Sequence, residues 1–328
     1  MMPQITKIGP IILDLQGVVL EDEEKELLQH PQTGGVILFT RNYDNPEQLQ
    51  QLIGDIRACR DPLLIGVDQE GGRVQRFKSG FSVLPPLALF GQEYEKFPKQ
   101  AREHAKSSGL LMATEMISIG VDFSFAPVLD LNCGMNSVIG DRSFHHHPMV
   151  VLDLADAYID GMHQAGMAAV AKHFPGHGHV TQDSHVALPI DDRGLQRIEE
   201  TDMFPFIQLL DQVEAIMPAH IIYPQVDQLP TTFSKVWLQD ILRERLGYKG
   251  AVISDDLSMA GAKMGDTPID AAHKALEAGC DMLLSCNQRQ QTVAILESLS
   301  HYSAQDSQGR LLRLQRCHHR RDPSRCSG

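Results

Sequence analysis

Residues 63–76 read LLIGVDQEGGRVQR: an apolar run, Leu63 to Val67, that breaks off at Asp68 into a stretch of charge and glycine. Five apolar or small residues are too few for a helix. A strand apolar on both faces belongs in a parallel sheet covered by helices, where the polar residues beyond its carboxyl end collect a site. The same pattern recurs along the chain, at 11–15, 35–39, 63–68, 123–129, 168–173, 215–220, 251–255 and 282–286, with Pro127 and Pro218 interrupting two of these runs. Helix-like segments lie between them, at 45–59, 99–119, 149–164, 193–211, 234–246, 268–278 and 290–299. Asn45-Pro46 is a cap followed by proline in the first turn, and Ser234 precedes helically spaced apolar residues. Eight strands alternating with helices predict an α/β fold, a single (β/α)8 TIM-type barrel; a doubly wound sheet gives the same alternation and is the second choice.

Composition narrows the function. The 328 residues are 42% apolar and 22% charged, enough to build a large core, and the formal net charge is −13. That sign disfavours phosphate-mediated binding of nucleic acid and coating of an anionic membrane, and leaves small-molecule chemistry as the expectation. The six cysteines include no C-x-x-C pair, the start MMPQITKIGP has no secretion-signal pattern, and no apolar run reaches membrane-spanning length. A monomer in the reducing cytoplasm is expected. Residues 310–328 carry six arginines against Asp322 and almost nothing apolar beyond Leu314. The domain reading is therefore a catalytic barrel over 1–314 and a basic, disordered tail over 315–328.

Several strand ends carry residues that a core would reject. Burying an unpaired charge is costly, so Asp68, Asp130, Lys172-His173 and Asp255-Asp256 are better placed around a pocket. Gly140-Asp141-Arg142-Ser143 lies on the loop after the fourth strand, and Gly71-Gly72 reads as a tight turn beside Arg73 and Arg76, near an anion or hydroxyl site. KHFPGHGHVTQDSH, 172–185, holds four histidines in fourteen residues. A metal site is the sharp reading of such density, yet Pro175 and Gly176 break the i,i+4 pair His173/His177, and H-E-x-x-H is absent. His177 and His179 read as structural loop histidines, and no metal or cofactor is expected. Asp183-Ser184-His185 suggests an aspartate that orients an imidazole for acid/base work, and Asp255 at the tip of the seventh strand a carboxylate nucleophile. Asp256 is assigned to packing or capping. No G-x-S-x-G, P-loop or G-x-G-x-x-G is present.

Six ordered blocks, GGVILFTRNYDNPEQL, GVDQEGGRVQRF, FAPVLDL with IGDRSF, KHFPGHG followed by DSH, IMPAHIIY and ISDDLSM, together resemble glycoside hydrolase family three over residues 8 to 314. The nearest likeness is to its single-domain bacterial β-N-acetylglucosaminidases of cell-wall recycling. The resemblance implies that Asp255 is the nucleophile, His185 the general acid/base on a mobile loop, and Asp183 its orienting partner. It implies that Asp68, Arg76, Arg142, Lys172 and His173 bind the sugar. The implied reaction is retaining removal of N-acetylglucosamine, with a 1,6-anhydro-N-acetylmuramic acid aglycone, with or without peptide, as the implied substrate. Past Arg316, CHHRRDPSRCSG departs from the family's usual C-terminal helix. A phosphorylase, a non-catalytic sugar-binding barrel and a metal-dependent hydrolase are the alternatives.

Overall fold

The computed structural model describes residues 7–134, 138–180, 188–262, 267–303 and 305–315. Eight parallel strands close a barrel: β1 (Ile11–Asp14), β2 (Thr33–Leu38), β3 (Leu64–Val67), β4 (Phe123–Ser124), β5 (Ala168–Phe174), β6 (Ala215–Pro218), β7 (Ala251–Asp256) and β8 (Met282–Ser285). Their order around the ring is sequential, with β1 paired to both β2 and β8. The expected barrel is therefore the one present, and the doubly wound alternative, which leaves sheet edges unpaired, is excluded. Asp183, His185 and residues 316–328 lie outside the described residues, as does most of the tail.

The prolines shape two strands. β4 stops at Ser124 rather than running to 129, because Pro127 has no N–H to give the ladder; beyond it the line continues irregularly, through the Phe125 N–H to Val67, the Val170 N–H to Ala126 and an isolated bridge of Val128 to Lys172. β6 ends at Pro218, two residues before His220.

Helices begin where local chemistry directs. The Asn45 carboxamide accepts the Gln48 N–H at 2.9 Å with Pro46 in the first turn, and Thr267 forms a capping box with Asp270. The long helices Pro98–Ile119 and Pro148–Ala165 end on Gly120 and Gly166, both in the left-handed region. These two helices touch backbone to backbone: a Cβ on Gly109 would lie 2.2 Å from the Tyr158 carbonyl oxygen, and one on Gly161 2.1 Å from that of Lys106. Only glycine permits that approach.

Two expected helices differ. Residues 193–211 form two short helices, Leu195–Glu200 and Phe204–Leu209, because the Asp202 side chain turns inward and Pro205 stands in the second helix's first turn. Residues 234–246 wind as a π-helix, Val236–Arg245, with buried Trp237 edge-on to Phe174 and Tyr223. The sequence reading passed over helices Asp22–Gln29, Ala88–Tyr94 and Gln305–Leu312, and the hairpin Gln69–Gly71 with Val74–Gln75.

Candidate active site

At the carboxyl ends of the strands lies a cavity of about 430 Å³, walled by Asp68, Arg76, Arg142, Lys172, His173 and Asp255, with Phe39 and Cys286 beside them. The five sugar-binding candidates and the nucleophile candidate thus share one space, although they span nearly 190 residues of chain. Asp183 and His185 lie outside the described residues, and their placement is not part of this geometry.

The cationic side is a chain of alternating charge. Arg76 Nη2 donates to Asp68 Oδ2 at 3.0 Å, and Lys172 Nζ donates to Asp68 Oδ1 at 2.9 Å. The same ammonium meets Glu70 Oε1 at 2.6 Å, and Glu70 accepts the Arg142 fork at 2.8 Å through both oxygens. Three cations hold two carboxylates, leaving a surplus of one positive charge. Burial alone would raise the Asp68 and Glu70 carboxyls, but the cations win: Lys172 and Arg76 hold Asp68 well below the usual carboxylate range, and Arg142 and Lys172 hold Glu70 at about 2. Arg142 is in turn held far up by Glu70 despite its own burial. Arg76 is braced over the Phe39 ring, 5.5 Å from its centroid.

Glu70 is the residue that sequence reasoning missed. It sits on the first strand of the hairpin after β3, Gln69–Gly71, and only barrel closure shows that it organises both Lys172 and Arg142. Its EGG setting was the available signal. Asp130 was noticed as a polar strand end but given no role. Buried, it accepts the His177 N–H at 2.7 Å and the His173 N–H at 3.2 Å through Oδ1, and meets His173 Nδ1 at 2.6 Å through Oδ2. With Nδ1–H given to Asp130, Nε2 is the atom that His173 offers a ligand.

On β7, Asp255 and Asp256 stand side by side. Both line the cavity, but their partners differ: Asp255 Oδ1 accepts the Asp256 N–H at 2.8 Å. Burial would raise it, but His173, His220, this N–H and Lys172 hold the carboxyl below its ordinary value, so it stays ionised. Asp256 accepts from Ser258 Oγ at 2.6 Å, Ser258 N at 3.0 Å and Cys286 N at 3.1 Å, tying the loop ends after β7 and β8. Its burial outweighs those bonds and raises its carboxyl. His220, buried, places Nε2 at 3.2 Å from the Asp256 carbonyl and Nδ1 at 3.0 Å from Thr232 Oγ1; burial pushes the ring toward its neutral form. Burial also drives the Cys286 thiol far up, which keeps it in its protonated form. His177 is a buried loop histidine packed edge-on to His173 at 5.9 Å between centroids, as expected.

An ionised, half-buried carboxylate sharing a sugar-sized cavity with fixed cations suits attack at an anomeric carbon. Residues 7–314 match the N-terminal domain of glycosyl hydrolase family 3. The chain belongs to glycosyl hydrolase family 3. It is 52% identical over 310 residues to the β-hexosaminidase of Thioalkalivibrio sulfidiphilus, covering 94% of this chain and 89% of that one. It is 50% identical over 295 residues to that of Haemophilus influenzae, covering 89% and 83%. Among solved structures, NagZ of Neisseria gonorrhoeae in complex with N-trifluoroacetyl-D-glucosamine superposes with a TM-score of 0.90 at 43% identity, covering 94% of this chain and 91% of that one. This family 3 barrel is accordingly a glycosidase of the β-hexosaminidase kind acting on a small carbohydrate. Among the described residues no helix is long and apolar enough to cross a membrane.

Proposed function

We propose that the chain removes non-reducing terminal β-linked N-acetylglucosamine with retention of configuration, using Asp255 as nucleophile and His185, oriented by Asp183, as general acid/base. The observation that carries this reading is the depressed, cavity-lining carboxyl of Asp255 on β7, set across from the cationic chain Arg76–Asp68–Lys172–Glu70–Arg142. Asp68, Arg76, Lys172, Arg142 and His173 grip the sugar hydroxyls, using binding strength to bring C1 onto the carboxylate. In the first step Asp255 forms a glycosyl ester as the His185 imidazolium gives its proton to the departing oxygen. In the second, neutral His185 takes a proton from water, whose oxygen displaces Asp255 from C1 on the face the aglycone left. Two inversions give the β-anomer.

The proposed substrate is N-acetylglucosamine linked to 1,6-anhydro-N-acetylmuramic acid, with or without stem peptide, in peptidoglycan recycling by a cytoplasmic monomer. The motif resemblance supports this reading, and the relatives' names, β-hexosaminidase, support the kind of bond it cleaves. The test follows hydrolysis of that disaccharide and of an aryl N-acetyl-β-glucosaminide by NMR, with and without inorganic phosphate. First-formed β-N-acetylglucosamine in both buffers is expected; first-formed α-anomer, or sugar phosphate as the main product, overturns the assignment. In His185→Ala, aryl substrates with good leaving groups lose less activity than poor ones. An equal loss for both contradicts the acid role.

A further inference from the structure

Outside the sugar cavity, the loops after β4 and β5 meet at a second cluster. Cys133 Sγ lies 3.1 Å from His179 Nδ1 and 3.5 Å from its Nε2, while Asp202 Oδ1 lies 3.0 Å from the same Nδ1. One ligand atom from each residue falls within 4.8 Å of the others. The sequence reading expected His179 to be structural, and it could not foresee this meeting, because the three residues come from separate segments.

We propose that Cys133, His179 and Asp202 form a binding site for a thiophilic divalent cation of the zinc type. Bond lengths of about 2.0–2.3 Å to N, O and S set tetrahedral ligand atoms about 3.3–3.8 Å apart, so small outward shifts admit the ion. Hydrogen bonding alone serves the cluster poorly: Nδ1 faces both a thiol and a carboxylate, and one ring hydrogen satisfies only one of them. A cation in that place answers all three groups. Asp202 is already held in the orientation this needs. Its Oδ2 accepts from Arg193 Nη1 at 2.7 Å and Thr201 Oγ1 at 2.8 Å, leaving Oδ1 to the cluster. Gly176 presses its backbone against the same aspartate, since a Cβ there would sit 2.4 Å from the Asp202 Cβ. Arg193 is shared with Asp191, which takes its Nε at 2.9 Å and Nη2 at 2.6 Å. Two carboxylates, Asp191 and Asp202, share the one Arg193 guanidinium beside the cluster. Cys133 and His179 open on a surface depression with His146 at its edge, so a fourth position is accessible to water.

The test titrates the metal-free full-length protein with Co(II) as spectroscopic probe. The expected result is one equivalent bound, with a thiolate-to-cobalt charge-transfer band that is lost in Cys133→Ser. The band persists in Asp255→Ala and in the triple variant Cys59→Ser/Cys317→Ser/Cys326→Ser. No thiolate band, a band that survives Cys133→Ser, or one that vanishes in the triple variant overturns the proposal. A second measurement needs no variant: zinc slows alkylation of Cys133 in the wild-type chain at least about tenfold, by peptide mapping, without slowing that of Cys59. Equal labelling of Cys133 with and without zinc contradicts the site.

Discussion

The two ends of the barrel use the same residue types for opposite purposes. At the amino-terminal end, Asp122, Glu214 and Asp281 each stand immediately before an even-numbered strand. Each forms a closed pair with the first residues of the strand before it. The Asp122 carboxylate accepts the Ile65 N–H at 2.8 Å while its own N–H donates to the Ile65 carbonyl at 2.8 Å. Glu214 does the same with Ala169, and Asp281 with Val252. Side chains complete the shells: Arg57 on Asp122, His163 on Glu214, and Arg243, Arg310 and Ser307 on Asp281. At the carboxyl-terminal end the charged residues Asp14, Asp68, Lys172 and Asp255 come from odd-numbered strands or their ends, in keeping with alternate strands filling alternate layers. There the acids are held mainly by cations at a cavity wall, and Asp255 by one backbone N–H and the field of its neighbours. A carboxylate spent on backbone donors is a rivet. One held in place yet open to a cavity is available to a ligand.

Four substitutions would break or sharpen this contrast. Asp255→Ala comes first: turnover falls by on the order of 10⁴-fold, comparable to loss of a nucleophile, while the melting temperature holds. Aryl-glycoside kinetics beside thermal unfolding check both halves. Asp281→Ala, at the other end, reverses the pattern. It strips two arginines and a strand N–H of their shared partner and costs about 3–5 kcal/mol of stability in urea unfolding, with kcat per folded molecule unchanged. Glu70→Gln comes third, since Lys172 and Arg142 lose the charge that sets their positions; kcat/KM drops about 10²-fold.

Glu70 also has a pH signature. Its carboxyl is held at about 2 in the fold against an ordinary 4.5, so its contribution to stability is complete above pH 4.5 and fades as pH falls from there toward 2. The wild type therefore loses stability more steeply than Glu70→Gln across that window, and parallel slopes would remove the cation chain as the cause. Asp256→Asn has the smallest effect, below about 1 kcal/mol in stability and in activation free energy, because an amide oxygen still accepts from Ser258 and Cys286. A large loss of turnover there would mean that the two neighbouring aspartates had been assigned the wrong way round.

The cavity end was much the more legible of the two in sequence. Apolar runs broken by charge at Asp68, Lys172 and Asp255 violate the pattern of a buried strand, and that violation is visible without coordinates. Asp122, Glu214 and Asp281 carry no such mark, since an acid between a helix and a strand looks like any loop residue until the register of the preceding strand is known. The ion-pair assignments were hidden for a related reason. Asp68 and Glu70 are two residues apart and Arg142 and Lys172 thirty, and only closure of the ring decides which carboxylate meets which cation. Residues 193–211 misled because helical spacing carries no sign that the Asp202 side chain turns inward and breaks the segment before Pro205.

The central claim, that Asp255 makes the covalent bond to the sugar, is tested most directly by trapping the intermediate. A 5-fluoro N-acetylglucosaminyl donor slows both steps, and with an activated leaving group it accumulates the glycosyl-enzyme for mass spectrometry of the intact chain and its peptides. One sugar on the peptide containing Asp255, ester-linked to that residue and absent from Asp255→Ala, is the result expected. A sugar on Asp68 or Asp256, or steady turnover of the donor with no adduct and inverted product, would contradict the account.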